Sequence, residues 1–407
     1  MQEKAKEPEI RFAGFTGAWE QRKIKDLAAN TYGGGTPSTS NPDFWEGSIP
    51  WIQSSDLSEH NLFRVRPRKF ISQAAVTNSP VKIIPESSIA VITRVGVGKL
   101  AVMNFSYTTS QDFLSLSNLN TDVKFTSYQL YRRLQKDLNA VQGTSIKGIT
   151  KEELLGKNIF IPGRQEQEAI GKFFSKIDSL LTLHQRKYEK LLNIKKSMLE
   201  KMFPKEGEVV PEIRFKGFTG AWEQRKVKDL AANTYGGGTP LTSNPEFWEG
   251  SIPWIQSSDL SEHNLFRVHP RKFISHAAVA NSSVKIIPEN SIAVITRVGV
   301  GKLAVMSFPY TTSQDFLSLS NLNTDVKFTS YQLYRRLQKD LNAVQGTSIK
   351  GITKEELLGK NIYIPGCQEQ EAIGKFFSKI DSLLTLHQRK LEMLKNVKQA
   401  FLEKMFV

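Results

Sequence analysis

The chain holds one cysteine, Cys367, in 407 residues. An internal disulfide is therefore excluded, and such cysteine poverty fits a reducing compartment. No apolar run approaches the roughly 18 residues that a membrane-spanning helix needs. The opening MQEKAKEPEI lacks the apolar core of a signal peptide, so the expected location is cytoplasmic. Six histidines stand at 60, 184, 263, 269, 276 and 387. None lies at metal-ligand spacing to another histidine or to Cys367, and no metal is expected. No Ser-His-Asp set or carboxylate pair stands out, so the chain offers no catalytic constellation. Acidic residues are also short, 40 against 55 Lys and Arg, for a net charge of +15. An excess of that size suits a polyanionic partner, because each cation set against a phosphate releases a counterion. Charge kept for solubility alone is the plainer alternative.

What is present is written twice. Ile10-Arg11-Phe12 recurs as Ile213-Arg214-Phe215, and the offset of 203 holds without a gap until Phe203 pairs with Phe406. Roughly nine positions in ten are identical across that span, which marks a tandem repeat. Two copies are too few for a solenoid, so a pseudo-twofold dimer within one polypeptide is the better expectation. The linker Pro204-Lys-Glu-Gly-Glu-Val-Val-Pro211 separates the copies with two helix-stopping prolines.

Each copy ends in a stretch with a 3.5-residue apolar rhythm. In the first copy the seam is Ile170, Phe174, Ile177, Leu181, Tyr188, Leu191, Met198 and Met202, with His184 and Lys195 in the two gaps. In the second it is Ile373, Phe377, Ile380, Leu384, Leu391, Leu394, Phe401 and Met405, with His387 and Lys398 in the gaps. That rhythm predicts helices that coil on one another, here on a partner in the same chain. A helix of roughly 38 residues would be about 57 Å long, which speaks against an amphipathic helix merely covering a globule. His184 and His387 are expected to set register as polar seam residues.

Ahead of each long helix the pattern is mixed. Glu20–Asn30 reads as a short helix; Ile49–Gln53, Val81–Ile84, Ser88–Ile92, Leu100–Met103 and Asn158–Pro162 read as strands. Thr126–Asn139 reads as a helix started by Ser or Thr, and Thr150-Lys-Glu-Glu153 as a capping box. The expected class is α+β: two mixed α/β domains at 10–163 and 213–366, long antiparallel coiled-coil helices at 164–203 and 367–407, and a linker at 204–212.

Several motifs invite a functional reading. Arg94-Val-Gly-Val-Gly-Lys99 lacks the first glycine and the final Ser or Thr of a phosphate-binding loop, so it reads instead as a glycine turn presenting Arg94 and Lys99. Asn41-Pro-Asp-Phe44 lacks the second proline of an amino-methyltransferase motif, and no cofactor loop accompanies it. Gln142-Gly-Thr-Ser-Ile-Lys-Gly148 supplies an amide, two hydroxyls and an ammonium ahead of a helix start, suited to clamping phosphate or reading a base edge. Gln53-Ser54-Ser55 leaves a strand with polar side chains, and Arg64, Arg66, Arg68 and Lys69 form a basic alternation. Tyr131-Arg132-Arg133 adds cations on a helix. Any one of these could be a solvated face; their recurrence in a basic chain favours nucleic acid. The candidate contacts are Thr36, Gln53, Ser54, Ser55, Arg94, Lys99, Gln142, Thr144, Ser145 and Lys147. Their copies are Thr239, Gln256, Ser257, Ser258, Arg297, Lys302, Gln345, Thr347, Ser348 and Lys350.

Gly34-Gly-Thr-Pro-Ser38, Phe44-Trp-Glu-Gly-Ser-Ile-Pro-Trp51, Gln142–Ile149, Ile161-Pro-Gly-Arg-Gln-Glu-Gln167 and the ending Leu-x-Lys-Met-Phe bring a family into view. Together with the order globule, long helix, globule, long helix, they resemble the specificity subunit of type I restriction–modification enzymes over nearly the whole chain. The resemblance implies a non-catalytic subunit whose two target-recognition domains each read half of a split double-stranded DNA site. It further implies two modification subunits clamped on the helices and carrying adenosylmethionine, and restriction subunits that use ATP and Mg. The recognition domains of the family usually differ, whereas here they are near copies, which implies an interrupted palindrome. Half-sites one helical turn apart, about 34–36 Å, present the same face of the duplex. A self-contained DNA methyltransferase or nuclease, or a basic scaffold protein, is the alternative. Salt-dependent preference for one DNA sequence over scrambled DNA would separate these readings.

Overall fold

The computed structural model describes residues 7–58, 61–140, 148–261, 264–343 and 351–407. The chain divides into two compact units, Met1–Gln185 with Lys390–Val407, and Arg186–Arg389. In the first unit the elements run β1 (Glu20–Lys23), β2 (Ala28–Gly33), β3 (Ile49–Ile52), β4 (Lys69–Ile71), α1 (Gln73–Thr77), β5 (Ser88–Ile92), β6 (Leu100–Met103), β7 (Thr108–Thr109) and β8 (Phe113–Leu119). There follow α2 (Val123–Ala140), α3 (Lys151–Gly156), β9 (Asn158–Ile161) and the 38-residue α4 (Arg164–Lys201), whose last turns belong to the second unit. The same strands recur 203 positions later, with α5 (His276–Ala280), α6 (Val326–Ala343), α7 (Lys354–Gly359) and the 38-residue α8 (Cys367–Lys404). No helix among the described residues is long and apolar enough to cross a membrane.

Each unit builds three small sheets: a four-stranded antiparallel sheet in the order β2-β8-β5-β6, a three-stranded sheet β4-β3-β7, and the pair β1-β9. β5 and β6 are buried on both faces, which explains why Ser88–Ile92 and Leu100–Met103 read as continuous apolar runs. Three local expectations are corrected. Glu20–Asn30 is not a helix: Glu20–Lys23 pairs antiparallel with Ile161–Asn158, and Ile24 and Leu27 are buried beneath a single 3-10 turn. Tertiary pairing supplies the backbone partners that helix formation would have supplied locally. Val81–Ile84 contributes only an isolated bridge, Ile84 to Tyr107, while Ile83 faces solvent. α2 starts three residues before Thr126, capped by Asp122, whose carboxylate accepts the Phe125 N–H at 2.8 Å.

The long helices pair in opposite directions within each unit. In the first unit Phe173 meets Phe401 at 5.2 Å and Asp178 meets Lys398, so one number rises as the other falls. In the second, Phe377 meets Phe203 at 5.8 Å and Asp381 meets Lys195. Ile170, Phe174, Ile177, Leu181, Ile373, Phe377, Ile380, Leu384 and Leu391 are buried as the seam requires, while Leu191 and Leu394 are half-buried. The helix ends act as plugs. Phe406 lies among Trp19, Phe125 and Phe174, with ring centroids 6.2, 5.5 and 5.6 Å away. Phe203 fills the matching place among Trp222, Phe328 and Phe377. The ending Leu-x-Lys-Met-Phe is thus a core element of the unit it reaches. Ile161–Gln167 is a junction: Glu166 accepts Arg11 at 2.8 Å, and Gln167 takes the Asp122 N–H at 2.8 Å while donating to the Pro162 carbonyl at 2.9 Å.

The seam lysines are not spacers. Lys398 Nζ lies 2.6 Å from Asp178 Oδ1, and the Tyr128 hydroxyl donates to Asp178 Oδ2 at 2.7 Å. Lys195, Asp381 and Tyr331 repeat the triad at 2.6 and 2.6 Å. The lysines also lie over tyrosine rings, Lys398 at 5.4 Å from Tyr128 and Lys195 at 5.6 Å from Tyr331. Burial pushes the Asp178 carboxyl above its usual range, and Lys398, Tyr128 and the Leu62 amide pull it part of the way back. Burial likewise raises the Tyr128 hydroxyl, reinforced by the neighbouring carboxylate.

Removing one partner of such a buried pair leaves an uncompensated charge, so Asp178→Asn should cost about 3–5 kcal/mol in denaturant unfolding, and an Asp178→Leu, Lys398→Met double variant much less. In Lys398→Met alone, Asp178 loses the cation that lowers it, so its folded value stands still further above the unfolded 3.8. The folded chain then holds that proton more tightly than the unfolded chain. Stability is greatest below the unfolded value and falls as pH rises through the folded one. A thermal melt series from about pH 4 to pH 8 should show this fall, and its absence in the double variant identifies Asp178 as the source. At the end of β2, a Cβ on Gly34 would lie 1.8 Å from the Ser110 carbonyl oxygen, whereas Gly33 has nothing within 4 Å. Gly34→Ala should therefore destabilise by about 1–3 kcal/mol in the same assay, and Gly33→Ala should cost clearly less.

Candidate nucleic-acid interface

Strand register gathers the candidate loops at one end of each globule. Gly33 of β2 lies opposite Leu114, Ile92 of β5 opposite Phe113, and Ile52 of β3 opposite Thr109. The loops leaving these positions, Gly34–Ser38, Gln53–Asp56, Thr93–Lys99 and Ser110–Asp112, therefore emerge side by side. Backbone bonds tie them together: Gly35 N–H to Thr109 O at 2.9 Å, Ser110 N–H to Ile52 O at 3.0 Å, and Thr93 N–H to Asp112 O at 2.7 Å. α2 ends at the same place, with Gln135 Nε2 donating to Gly98 O at 2.9 Å. Gly148–Ile149 is tied to the same place, with the Ile149 N–H donating to Thr93 O at 2.8 Å.

Six of the ten candidate contacts in the first copy come together here. Ser55 and Arg94 are exposed; Thr36, Gln53, Ser54 and Lys99 are half-buried. Thr239, Gln256, Ser257, Ser258, Arg297 and Lys302 occupy the matching end of the second unit. Gln142, Thr144, Ser145, Lys147, Gln345, Thr347, Ser348 and Lys350 lie outside the described residues. The tip is shaped by charge held below it. Asp56 is buried, accepts the Gln53 N–H at 2.8 Å, and faces Arg68 Nε at 3.5 Å, while Arg68 also donates to the Ser55 carbonyl at 2.9 Å. Lys69 is drawn over the Trp45 and Trp51 rings at 5.5 and 5.6 Å. The basic alternation thus divides its labour: Arg68 and Lys69 brace the tip, and Arg66 remains exposed beside Asp56, whose carbonyl takes the Arg66 N–H at 3.1 Å. In the second unit His269 stands in the place of Arg66 and accepts from Arg267 Nε at 2.7 Å.

Two expectations change. The cations on α2 are engaged within the protein: Arg132 donates to the Val407 carbonyl oxygen at 2.7 Å, and Arg133 pairs with Asp137 at 3.3 Å. Burial, with Arg133 alongside, lowers the Arg132 guanidinium below its ordinary value. Gln111 was not among the candidates, yet it is exposed at the tip between β7 and β8. Its copy, Gln314, accepts from the Thr239 hydroxyl at 2.5 Å. The signal was available as the polar break Ser110-Gln-Asp112 between two apolar runs.

The family model described as the type I restriction modification DNA specificity domain matches twice, at residues 17–193 and 220–396. Among curated relatives, the specificity subunit of the type I restriction enzyme EcoR124I/EcoR124II from Escherichia coli is 34% identical over 187 residues. That alignment covers 44% of this chain and 42% of the relative. The MjaIX specificity subunit from Methanocaldococcus jannaschii is 28% identical over 193 residues, 46% of this chain and 44% of the relative. These alignments thus span less than half the length of either relative. The crystal structure of a type I restriction–modification S subunit from M. genitalium shares the fold, with a TM-score of 0.67 at 15% identity, over 98% of this chain and 99% of that one. The chain belongs to the type I restriction–modification DNA specificity family and carries that domain twice.

Proposed function

We propose that this chain is the sequence-specific DNA-recognition subunit of a type I restriction–modification complex and catalyses nothing itself. The observation that carries the reading is the repeated tip, where the same hydroxyl, amide and arginine side chains converge in both units on a basic chain. Arginine and lysine position a protein on phosphates, while glutamine, serine and threonine can read base edges. Methylation and cleavage then belong to partner subunits: two modification subunits carrying adenosylmethionine, and restriction subunits using ATP and Mg. Like copies joined in one chain pair most economically about a twofold axis. Both halves of the DNA site are accordingly read as the same sequence in inverted orientation.

The test is to sequence modified adenines in cells that carry the complete system. A bipartite motif whose two halves are inverted copies is expected; unlike halves would refute the symmetric reading. The purified chain should bind that motif above scrambled DNA, with no methyl transfer until a modification subunit is added. An Arg94→Ala, Arg297→Ala double variant should reduce the slope of log affinity against log salt by about 2, one phosphate contact per arginine.

A further inference from the structure

Val95 and Val298 are 69% and 70% exposed, more than any other large apolar side chain among the described residues. Each stands at the apex of the Thr93–Lys99 turn or its copy, next to an exposed arginine. The base of the turn is clamped. Thr93 donates both its N–H and its Oγ1 to the Asp112 carbonyl, at 2.7 and 3.0 Å, and Gln135 holds the Gly98 carbonyl. Gly98 has a φ of +95°, and a Cβ there would lie 2.2 Å from Leu138 Cδ1, so the turn is seated closely on α2. Single exposed apolar residues are ordinary on protein surfaces. This one recurs in both copies, on a braced turn that also carries an exposed arginine, whereas the exposed Leu241 of the second unit has Ser38 as its counterpart in the first. Most of its surface is left out of the packing, and that exposure costs hydration free energy.

We propose that Val95 and Val298 are apolar base readers, each entering the major groove and resting on the C5-methyl group of a thymine. This deepens the DNA-recognition reading and rests on it. A branched aliphatic side chain has no donor or acceptor, so it cannot distinguish the hydrogen-bonding edges of bases. The thymine methyl is the apolar feature that a base pair presents in the major groove. Arg94 and Arg297, adjacent on the turn, are placed to take neighbouring phosphates and hold the valines at the base edge. Each half of an adenine-methylated site contains at least one thymine, the partner of the target adenine, so the proposed contact group is present in any such site.

The experiment uses the full chain and duplexes carrying the motif found by methylome sequencing, with thymines replaced one at a time by uracil. That exchange deletes only the methyl group. One position per half-site should weaken binding about fourfold, the worth of one buried methyl-sized group. Changing both half-sites should weaken it about sixteenfold, since distant contacts add. A Val95→Ala, Val298→Ala variant should bind thymine and uracil duplexes alike, with its salt dependence unchanged. A Val95→Thr, Val298→Thr variant, which keeps one methyl on a β-branched side chain, should retain part of the discrimination. Equal binding of thymine and uracil duplexes by the unaltered chain overturns the proposal, as does discrimination that persists in the alanine variant. Failure to prefer the motif over scrambled DNA removes the DNA-recognition reading itself, a result distinct from the loss of the methyl contact alone.

Discussion

A lysine buried against an aspartate, once in each unit, is the constraint on which the long helices depend. Lys398 reaches Asp178, and Lys195 reaches Asp381, each at 2.6 Å, with both side chains under a tenth exposed. A buried charge without its partner is costly, so only a register that brings these atoms together is tolerated. Apolar seam residues reward many sliding alignments of two helices about equally; the ion pair rewards one. The tyrosine hydroxyl on the second carboxylate oxygen links that register to α2 in the first unit and to α6 in the second.

From the fixed register the rest of each unit follows. With the helices aligned, Phe406 and Phe203 arrive where an aromatic cluster needs a final ring, and each globule closes on the end of a helix that began elsewhere in the chain. α2 is held to α4 near Gln167 and to the tip near Gly98, so it spans its globule from the helical frame to the convergent loops. The convergent loops are thereby attached to rigid elements at their bases while their apices remain exposed.

Much of this was legible in the chain itself. The duplication, the 3.5-residue rhythm, the capping box at Thr150, and the glycine turn at Val95–Lys99 each have a local cause that a sequence displays directly. The helix-compatible composition of Glu20–Asn30 is overridden by pairing of Glu20–Lys23 with Asn158–Ile161, more than a hundred residues away. Nothing in the local pattern of Arg132 and Arg133 reveals that Val407 and Asp137 meet them. Gln111 sits in a polar break between strands, which has the pattern of any turn until its neighbours are known.

The sequence by itself determined the repeat, the helical seams, the α+β class and the excess of positive charge, because each is a matter of spacing or composition. Only the tertiary structure decided that Lys195 and Lys398 face aspartates, that Phe203 and Phe406 complete the cores, and that Thr36, Gln53, Arg94 and Gln111 share one surface. Those facts depend on which distant residues meet, and side-chain meetings across such separations are set by packing rather than by local pattern.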